Sequence, residues 1–78
     1  MMDKTTRDNL IKFTQGIVAS TPRNELEDEW VTFSEDIDVN IWWEEDGPIR
    51  ATAYPIKRDS HGFKYTDISN KFFSVPIV

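Results

Sequence analysis

The sequence predicts an α+β fold in which one N-terminal helix packs on a three- to four-stranded antiparallel sheet, arranged as a hairpin meander. Three observations predict it. Apolar residues recur at helical spacing between residues 10 and 18, apolar and polar residues alternate at 37–43 and 49–54, and two turn-rich segments each end in glycine. A chain of 78 residues has the length of one domain, so residues 1–78 are expected to share one core.

The predicted helix begins near Thr5, which has the spacing of a capping box with Asp8. The residues that form its apolar face are Leu10, Ile11, Phe13, Ile17 and Val18. Pro22 disfavours helical geometry at the residue before it, so the helix is expected to end near Ala19. Pro22 is also suited to begin a single helical turn, and the segment after it is either a loop or a short helix.

The first predicted hairpin turns at Glu45-Asp46-Gly47. The alternation on its two sides places Ile41 opposite Ala51, and a slip of one residue would bring an apolar side chain opposite a charged one. Gly47 is the third residue of the predicted loop, where a left-handed backbone conformation is expected.

Three further segments have the composition of strands: residues 30–33, 63–66 and 72–78. Gly62 ends the turn before the second of them. Pro76 cannot donate a ladder hydrogen bond, so the last strand is expected at an edge of the sheet. The residues assigned to the core are Leu10, Phe13, Ile17, Val39, Ile41, Trp43, Ile49, Ala51, Phe63, Tyr65, Phe73 and Val75.

Composition excludes several kinds of site. The chain has no cysteine, which rules out disulfides, thiolate zinc sites and cysteine nucleophiles. A small domain without disulfides is typical of a reducing compartment, and no apolar run is long enough for a signal peptide or a membrane span, so a cytoplasmic location is expected. No metal or other cofactor is predicted. Asp36, Asp38 and Asn40 match the start of a calcium-binding EF-hand loop, but Ile41 and Gly47 occupy positions that require Gly and Glu.

No catalytic site is predicted. His61 is the only histidine and lies in the turn Asp59-Ser60-His61-Gly62, where neighbouring side chains point apart. Catalytic triads are instead assembled from residues distant in sequence. Acid–base chemistry by carboxylates needs a cleft that desolvates one of them, and a chain of this length has little room for such a cleft. We therefore expect a protein that is not an enzyme.

Charge is distributed unevenly along the chain. The net charge is −5, and residues 25–46, which we call the acidic segment, contain ten carboxylates and no Lys or Arg. The flanking segments, 1–24 and 47–78, both carry net positive charge. The acidic segment serves either solubility or recognition of a basic surface, where such charges accelerate encounter and select partners.

Trp42 is expected to point away from the core, level with Arg50 and near Tyr54 on the next strand. Three interpretations are open for its side chain. It forms a cation–π contact with Arg50, it belongs to the core, or it anchors an interface, since Trp, Tyr and Arg are enriched at binding hot spots.

These features favour a small non-catalytic interaction protein that binds or inhibits a protein partner with a basic surface, of the viral accessory or immunity-protein type. The candidate partner-binding residues are Trp42, Arg50, Tyr54, Glu44, Glu45, Asp46 and Asp38. The alternative is a nucleic-acid-binding module that uses the basic, aromatic C-terminal half, although the negative net charge disfavours it. The basic residues of this alternative are Arg50, Lys57, Arg58 and Lys64. No membrane partner is expected, and a homodimer is an open alternative.

Overall fold

Over residues 2–77, which the computed structural model describes, the chain forms one α-helix and a curled antiparallel sheet of five strands. The elements are helix α1 (Lys4–Ser20), a short 3₁₀ turn (Arg23–Glu25), and strands β1 (Glu29–Ser34), β2 (Ile37–Trp42), β3 (Arg50–Arg58), β4 (Lys64–Thr66) and β5 (Phe73–Pro76). The predicted α+β class, with the helix packed on the sheet, is confirmed.

Helix α1 is capped by Asp3, so the prediction of a capping box at Thr5 and Asp8 is wrong. The Asp3 carboxylate accepts a hydrogen bond of 2.7 Å from the backbone N–H of Thr6, and this bond lowers the pKa of Asp3. Thr5 and Asp8 both lie inside the helix. The helix ends at Ser20, close to the predicted end, and the 3₁₀ turn forms directly after Pro22.

Strand β3 is the centre of the sheet. The strand order is β1-β2-β3-β4, and β5 pairs with β3 beside residues 50–53. The Phe72 N–H donates to the Ala53 carbonyl and the Asp67 N–H donates to the Pro55 carbonyl, so β5 and β4 share one edge of β3. Pro55 lies between the part of β3 that pairs with β5 and the part that pairs with β4. Its missing N–H therefore leaves no gap in either ladder.

The first hairpin has the predicted register with a different turn. Ile41 pairs with Ala51 as predicted, but the strands end at Trp42 and Arg50. The Gly47 N–H donates to the Glu44 carbonyl at 2.9 Å, which makes Gly47 the last residue of a four-residue turn. That position does not need a positive φ. The predicted left-handed conformation of Gly47 is wrong, and Gly62, with φ of 82°, is the described glycine that adopts it.

The core is one hydrophobic cluster whose buried members come from α1, β2, β3 and the segments just before β1 and β3. Its buried members are Leu10, Leu26, Ile37, Val39, Ile41, Ile49, Ala51 and Ala53. Thr14 is also fully buried, and its hydroxyl donates to the Leu10 carbonyl one helical turn earlier, so it adds no unpaired polar group. Ile17, Trp43 and Phe73 are half-buried against the cluster, and Val75 is half-buried on β5.

Three aromatic residues assigned to the core are exposed to different extents. Phe13 is 37% exposed and packs edge-on against Phe33 at the margin of the cluster, with 5.3 Å between the ring centroids. Phe63 and Tyr65 are 71% and 48% exposed. They belong to the β3–β4 hairpin, where β4 packs chiefly against β3. Alternation there is regular, but the helix does not cover the hairpin.

Replacing Gly62 with alanine should destabilise the protein, because a Cβ disfavours a φ of 82° even in open space. The expected loss in the free energy of unfolding is about 1–2 kcal/mol. Gly47→Ala is the matched control, since its Cβ would make an ordinary contact 3.7 Å from the Glu44 Cβ. It should not destabilise the protein, and a gain of up to about 1 kcal/mol is expected because alanine restricts the unfolded chain. Urea denaturation measures both variants, and equal losses would contradict the assignment of the two turns.

Candidate functional site

The candidate site is the face of the sheet opposite α1, which we call the open face because no helix covers it within residues 2–77. Side chains alternate between the two faces of a strand, so the residues between those that face the core lie on the open face. The core-facing residues of β2 and β3 include Val39, Ile41, Ala51 and Ala53. The residues of the open face are Trp30 and Thr32 of β1, Asp38, Asn40 and Trp42 of β2, and Arg50, Thr52 and Tyr54 of β3.

Two aromatic rings meet over the middle of this face. The Trp30 and Tyr54 ring centroids are 5.5 Å apart, and the rings are tilted by 37°. Trp30 lies on β1 and Tyr54 on β3, so their contact spans β2. Trp30 is still 44% exposed, whereas Asn40 on the intervening strand is only 6% exposed. The pair therefore shields the backbone layer and leaves an aromatic surface in water.

The buried polar side chains of this face have hydrogen-bond partners on neighbouring segments. The Asn40 amide donates to the Asp28 carboxylate at 2.9 Å, and the Thr52 hydroxyl donates to the Ser74 hydroxyl at 3.0 Å. Asp28 has φ of 54°, which aspartate tolerates better than most residues. No buried side-chain nitrogen or oxygen lacks a partner in the described part of the chain. The open face is thus a fixed surface whose buried polar groups are satisfied before any partner arrives.

Asp38 ties three strands together. Its carboxylate accepts hydrogen bonds from the hydroxyls of Thr32 on β1, at 3.0 Å, and Thr66 on β4. Because β4 lies beyond β3, the bond to Thr66 crosses a strand, as the curl of the sheet allows. Asp38 and Ile56 help to line a cleft of about 370 Å³ at this end of the open face. Of the predicted site residues, Asp38 has the most clearly structural set of contacts.

Trp42 and Arg50 are direct partners across β2 and β3, and both are half-buried. With Glu44, Gly47 and Pro48 they line a shallow cavity of about 190 Å³. The cation–π contacts found among the described residues involve other pairs, so the interpretation of Trp42 as a cation–π partner of Arg50 is not supported. Tyr54, four residues further along β3, pairs with Asp38. The structure therefore groups Tyr54 with Trp30 and leaves Trp42 with Arg50.

Arg23 holds the turn after β2, which carries the carboxylates of residues 44–46 at one end of the open face. Its guanidinium lies 4.5 Å from the Trp43 ring centroid and donates to the Gly47 carbonyl at 2.6 Å. In return, the Trp43 indole N–H donates to the Arg23 carbonyl at 2.7 Å. These contacts hold the turn that carries the exposed carboxylates of residues 44–46. Sequence patterns did not predict these contacts, because no pairing was expected between the segment that contains Arg23 and the hairpin that contains Trp43.

Among residues 2–77, no ion pair involves a carboxylate of the acidic segment. Only Asp38 is half-buried among the ten, and the others are exposed. The salt bridges found between residues 2 and 77 join Lys4 to Asp8 and Lys57 to Asp67, both outside the acidic segment. The negative potential of this segment is therefore not neutralised at close range by the protein's own bases.

A second surface is the β3–β4 hairpin. Phe63 and Tyr65 of this hairpin and Ile68 just after it are the most exposed large hydrophobic residues in the described part of the chain, at 71%, 48% and 68%. Arg58 and Lys64 are cross-strand partners there. Of the other bases in the nucleic-acid alternative, Lys57 is paired with Asp67 and Arg50 lies at the far end of β3.

The chain matches no family model, no curated protein and no solved structure. Within the described residues, no helix is long and apolar enough to cross a membrane. Nor do those residues bring three or more His, Asp or Glu side chains together in a way that could hold a metal ion.

Acid should weaken the β3–β4 hairpin by protonating Asp67. Hydrogen bonds from Lys57 and Asn70 lower the pKa of Asp67 below its ordinary value of 3.8. The contribution of Asp67 to stability is therefore present above the unfolded-state pKa and lost as the pH falls through the lowered folded-state pKa. The difference in melting temperature between wild type and Asp67→Asn should be constant from about pH 7 to 5 and shrink below about pH 4. A difference that stayed constant down to about pH 2 would contradict a role for the ionised carboxylate.

Proposed function

We propose that this protein is a non-catalytic interaction module that binds a protein partner through the open face of its sheet. The observation that carries the proposal is the set of aromatic and arginine side chains on a face that α1 does not cover. Trp30, Trp42, Tyr54 and Arg50 are of the types most enriched at binding hot spots. A sheet face whose only role was contact with water would more typically alternate to small polar and charged residues.

Preorganisation favours this use of the face. Trp30 and Tyr54 already touch, and Asn40 and Thr52 on the same face are buried and hydrogen-bonded. Aromatic anchors that are fixed before binding lose little conformational freedom when a partner covers them. Trp42 and Arg50 are already half-buried in the free protein. A partner that covers them therefore removes only the remaining water from their side chains.

The partner that fits this face has a basic surface. Glu44, Glu45 and Asp46 are exposed beside Trp42, and Arg23 holds their turn in place. Because no base in the described part of the chain forms an ion pair with these carboxylates, they attract a basic partner at a distance and act mainly on the rate of encounter. Such a module inhibits its partner when the covered basic surface is the partner's working surface, as with immunity and viral accessory proteins.

We also place this function in the cytoplasm. The support is the absence of cysteine in a chain of 78 residues, since small domains of oxidising compartments are commonly stabilised by disulfides.

Two kinds of variant should affect partner binding through different rate constants. Trp42→Ala should speed dissociation and cost about 2 kcal/mol or more in affinity, because it removes a desolvated anchor. Replacing Glu44, Glu45 and Asp46 together with lysine should slow association and flatten its salt dependence. The partner is first captured with the tagged wild-type protein and identified by mass spectrometry. Surface plasmon resonance with the purified partner then measures both rate constants.

Phe63→Ala is the matched control, since Phe63 is an exposed aromatic residue on the β3–β4 hairpin, away from the open face. It should bind the partner as wild type does, and circular dichroism should show that all variants fold. An unchanged association rate for the triple lysine variant at low salt would refute the role of the acidic turn. Unchanged dissociation of Trp42→Ala would refute the role of the open face.

The β3–β4 hairpin supports nucleic-acid binding as a second candidate function. Exposed Phe63 and Tyr65 could stack on bases while the neighbouring pair of Arg58 and Lys64 contacts phosphates. A gel shift with single-stranded RNA and DNA at low salt tests it. The leading proposal predicts no shift. A shift that disappears in Arg58→Ala and at raised salt would favour the second candidate instead.

A further inference from the structure

The outer edge of β1 is an unpaired sheet edge among the described strands. The Ile56 N–H donates to the Asp36 carbonyl, so the even-numbered residues of the β2 segment direct their backbone groups towards β3. Its odd-numbered residues, such as Val39, therefore bond to β1. Val31 is the partner of Val39, and its neighbours Trp30 and Thr32 direct their N–H and C=O groups away from the sheet.

The two edges of the sheet differ in protection. On the β3 side, β4 has only three residues, and β5 has four and ends at Pro76. Short strands and proline are common means of preventing unwanted edge pairing. Strand β1 has six residues, with no Pro, Gly, Lys or Arg among them. Its only irregularity is a bulge between Thr32 and Ser34, which leaves residues 29–32 as a regular edge.

We propose that the outer edge of β1 accepts an extended segment of the partner as an additional strand, and that this segment carries Lys or Arg at both of its ends. The inference rests on the proposed function and names the mode of binding and the chemistry of the bound segment. The added strand would bond to the outward N–H and C=O groups of Trp30 and Thr32, as in other complexes formed by strand addition.

Carboxylates at both ends of β1 favour basic residues at both ends of the bound segment. Glu27, Asp28 and Glu29 lie at the start of β1, and Glu35 and Asp36 follow its end. All five are exposed, and none is ion-paired among residues 2–77. A segment running in either direction therefore meets carboxylates at both ends. Uncharged residues between two basic ends would fit the apolar and hydroxyl side chains in the middle of the strand.

A second copy of this chain is a poor occupant for the same reason. Antiparallel pairing of two β1 strands would place residues 27–29 of one copy beside Glu35 and Asp36 of the other. Like charges opposite each other on paired strands are destabilising. The acidic segment contains no base to offset them. At neutral pH, the edge of β1 can therefore pair with a basic segment, whereas pairing with β1 of a second copy is disfavoured.

Trp30 gives the edge a preference for certain side chains. It is 44% exposed and is already held by Tyr54, so one side of its ring is free to meet a neighbouring strand. Aromatic residues pair well with β-branched side chains on an adjacent strand. The residue of the bound segment that lies beside Trp30 on the open face should therefore be valine, isoleucine or threonine.

A synthetic peptide tests the inference directly. The probe is a peptide with blocked termini that has two lysines at each end and four alternating threonine and valine residues between them. Titration into ¹⁵N-labelled protein at low salt should shift the amide signals of Trp30 and Thr32 and slow their hydrogen exchange. Peptides with glutamate in place of lysine, or with proline at the two valine positions, should bind at least about tenfold more weakly. Equal binding of all three peptides would overturn the proposal.

Two substitutions at one position separate the edge from its side chain. Thr32→Pro removes an outward N–H, whereas Thr32→Val keeps it, and both lose the hydroxyl that bonds to Asp38. Thr32→Pro should weaken peptide binding about tenfold, and Thr32→Val should stay within about twofold of wild type. If Thr32→Pro fails to fold, the proline-containing peptide against wild-type protein makes the same comparison. Equal affinities of the two variants would count against strand addition.

The open face and the edge can fail separately. Trp42→Ala should leave peptide binding unchanged, because Trp42 lies two strand residues beyond the partner of Trp30. Partner binding that responds to Trp42→Ala but not to Thr32→Pro would overturn the edge inference and keep the proposed function. The reverse result would overturn the open face and keep the edge. A dimer in sedimentation that Thr32→Pro dissolves would show a second copy on the edge and refute the basic segment.

Discussion

The packing of α1 against β2 and β3 constrains the rest of the molecule. Leu10 enters the cluster formed by Val39, Ile41 and the small side chains of β3, and α1 is the only α-helix of residues 2–77. The opposite face of the sheet must then be made compatible with water by its own side chains. It meets this requirement with a pair of aromatic rings that spans β2 and with buried, hydrogen-bonded Asn40 and Thr52, in place of a simple polar surface.

This arrangement has a consequence for binding. Polar groups that are already satisfied beneath the rings do not need a ligand, so a partner gains chiefly from covering apolar and aromatic surface. The carboxylates at the margin contribute in a different way, through long-range attraction that salt screens. Arg23 positions these carboxylates, because it stacks on the half-buried Trp43 ring and donates to the turn that carries the charges. The position of the acidic turn therefore depends on the helical turn after α1.

Much of the fold could be predicted from periodicity. The helix, the register of Ile41 with Ala51, and the edge position of the last strand all follow from local rules that tertiary contacts did not override. Periodicity shows to which face of the sheet a side chain points, but it does not show whether another element packs on that face. Phe63 and Tyr65 alternate correctly, yet they are exposed because α1 does not extend over the hairpin. The roles of Gly47 and Gly62 likewise depended on loop length, which composition does not fix.

The candidate site, like the fold, could be predicted only in part from the sequence. The pairing of Trp42 with Arg50 followed from the hairpin register, whereas Tyr54 could not be assigned to Trp30 without knowing how β1 pairs with β2. Once that pairing is known, Trp30 belongs to two surfaces, since its ring lies on the open face and its backbone groups lie on the free edge of β1. A partner that added a strand there would bring its own side chains beside the Trp30–Tyr54 pair. The edge and the face are therefore continuous, and one extended basic partner could occupy both.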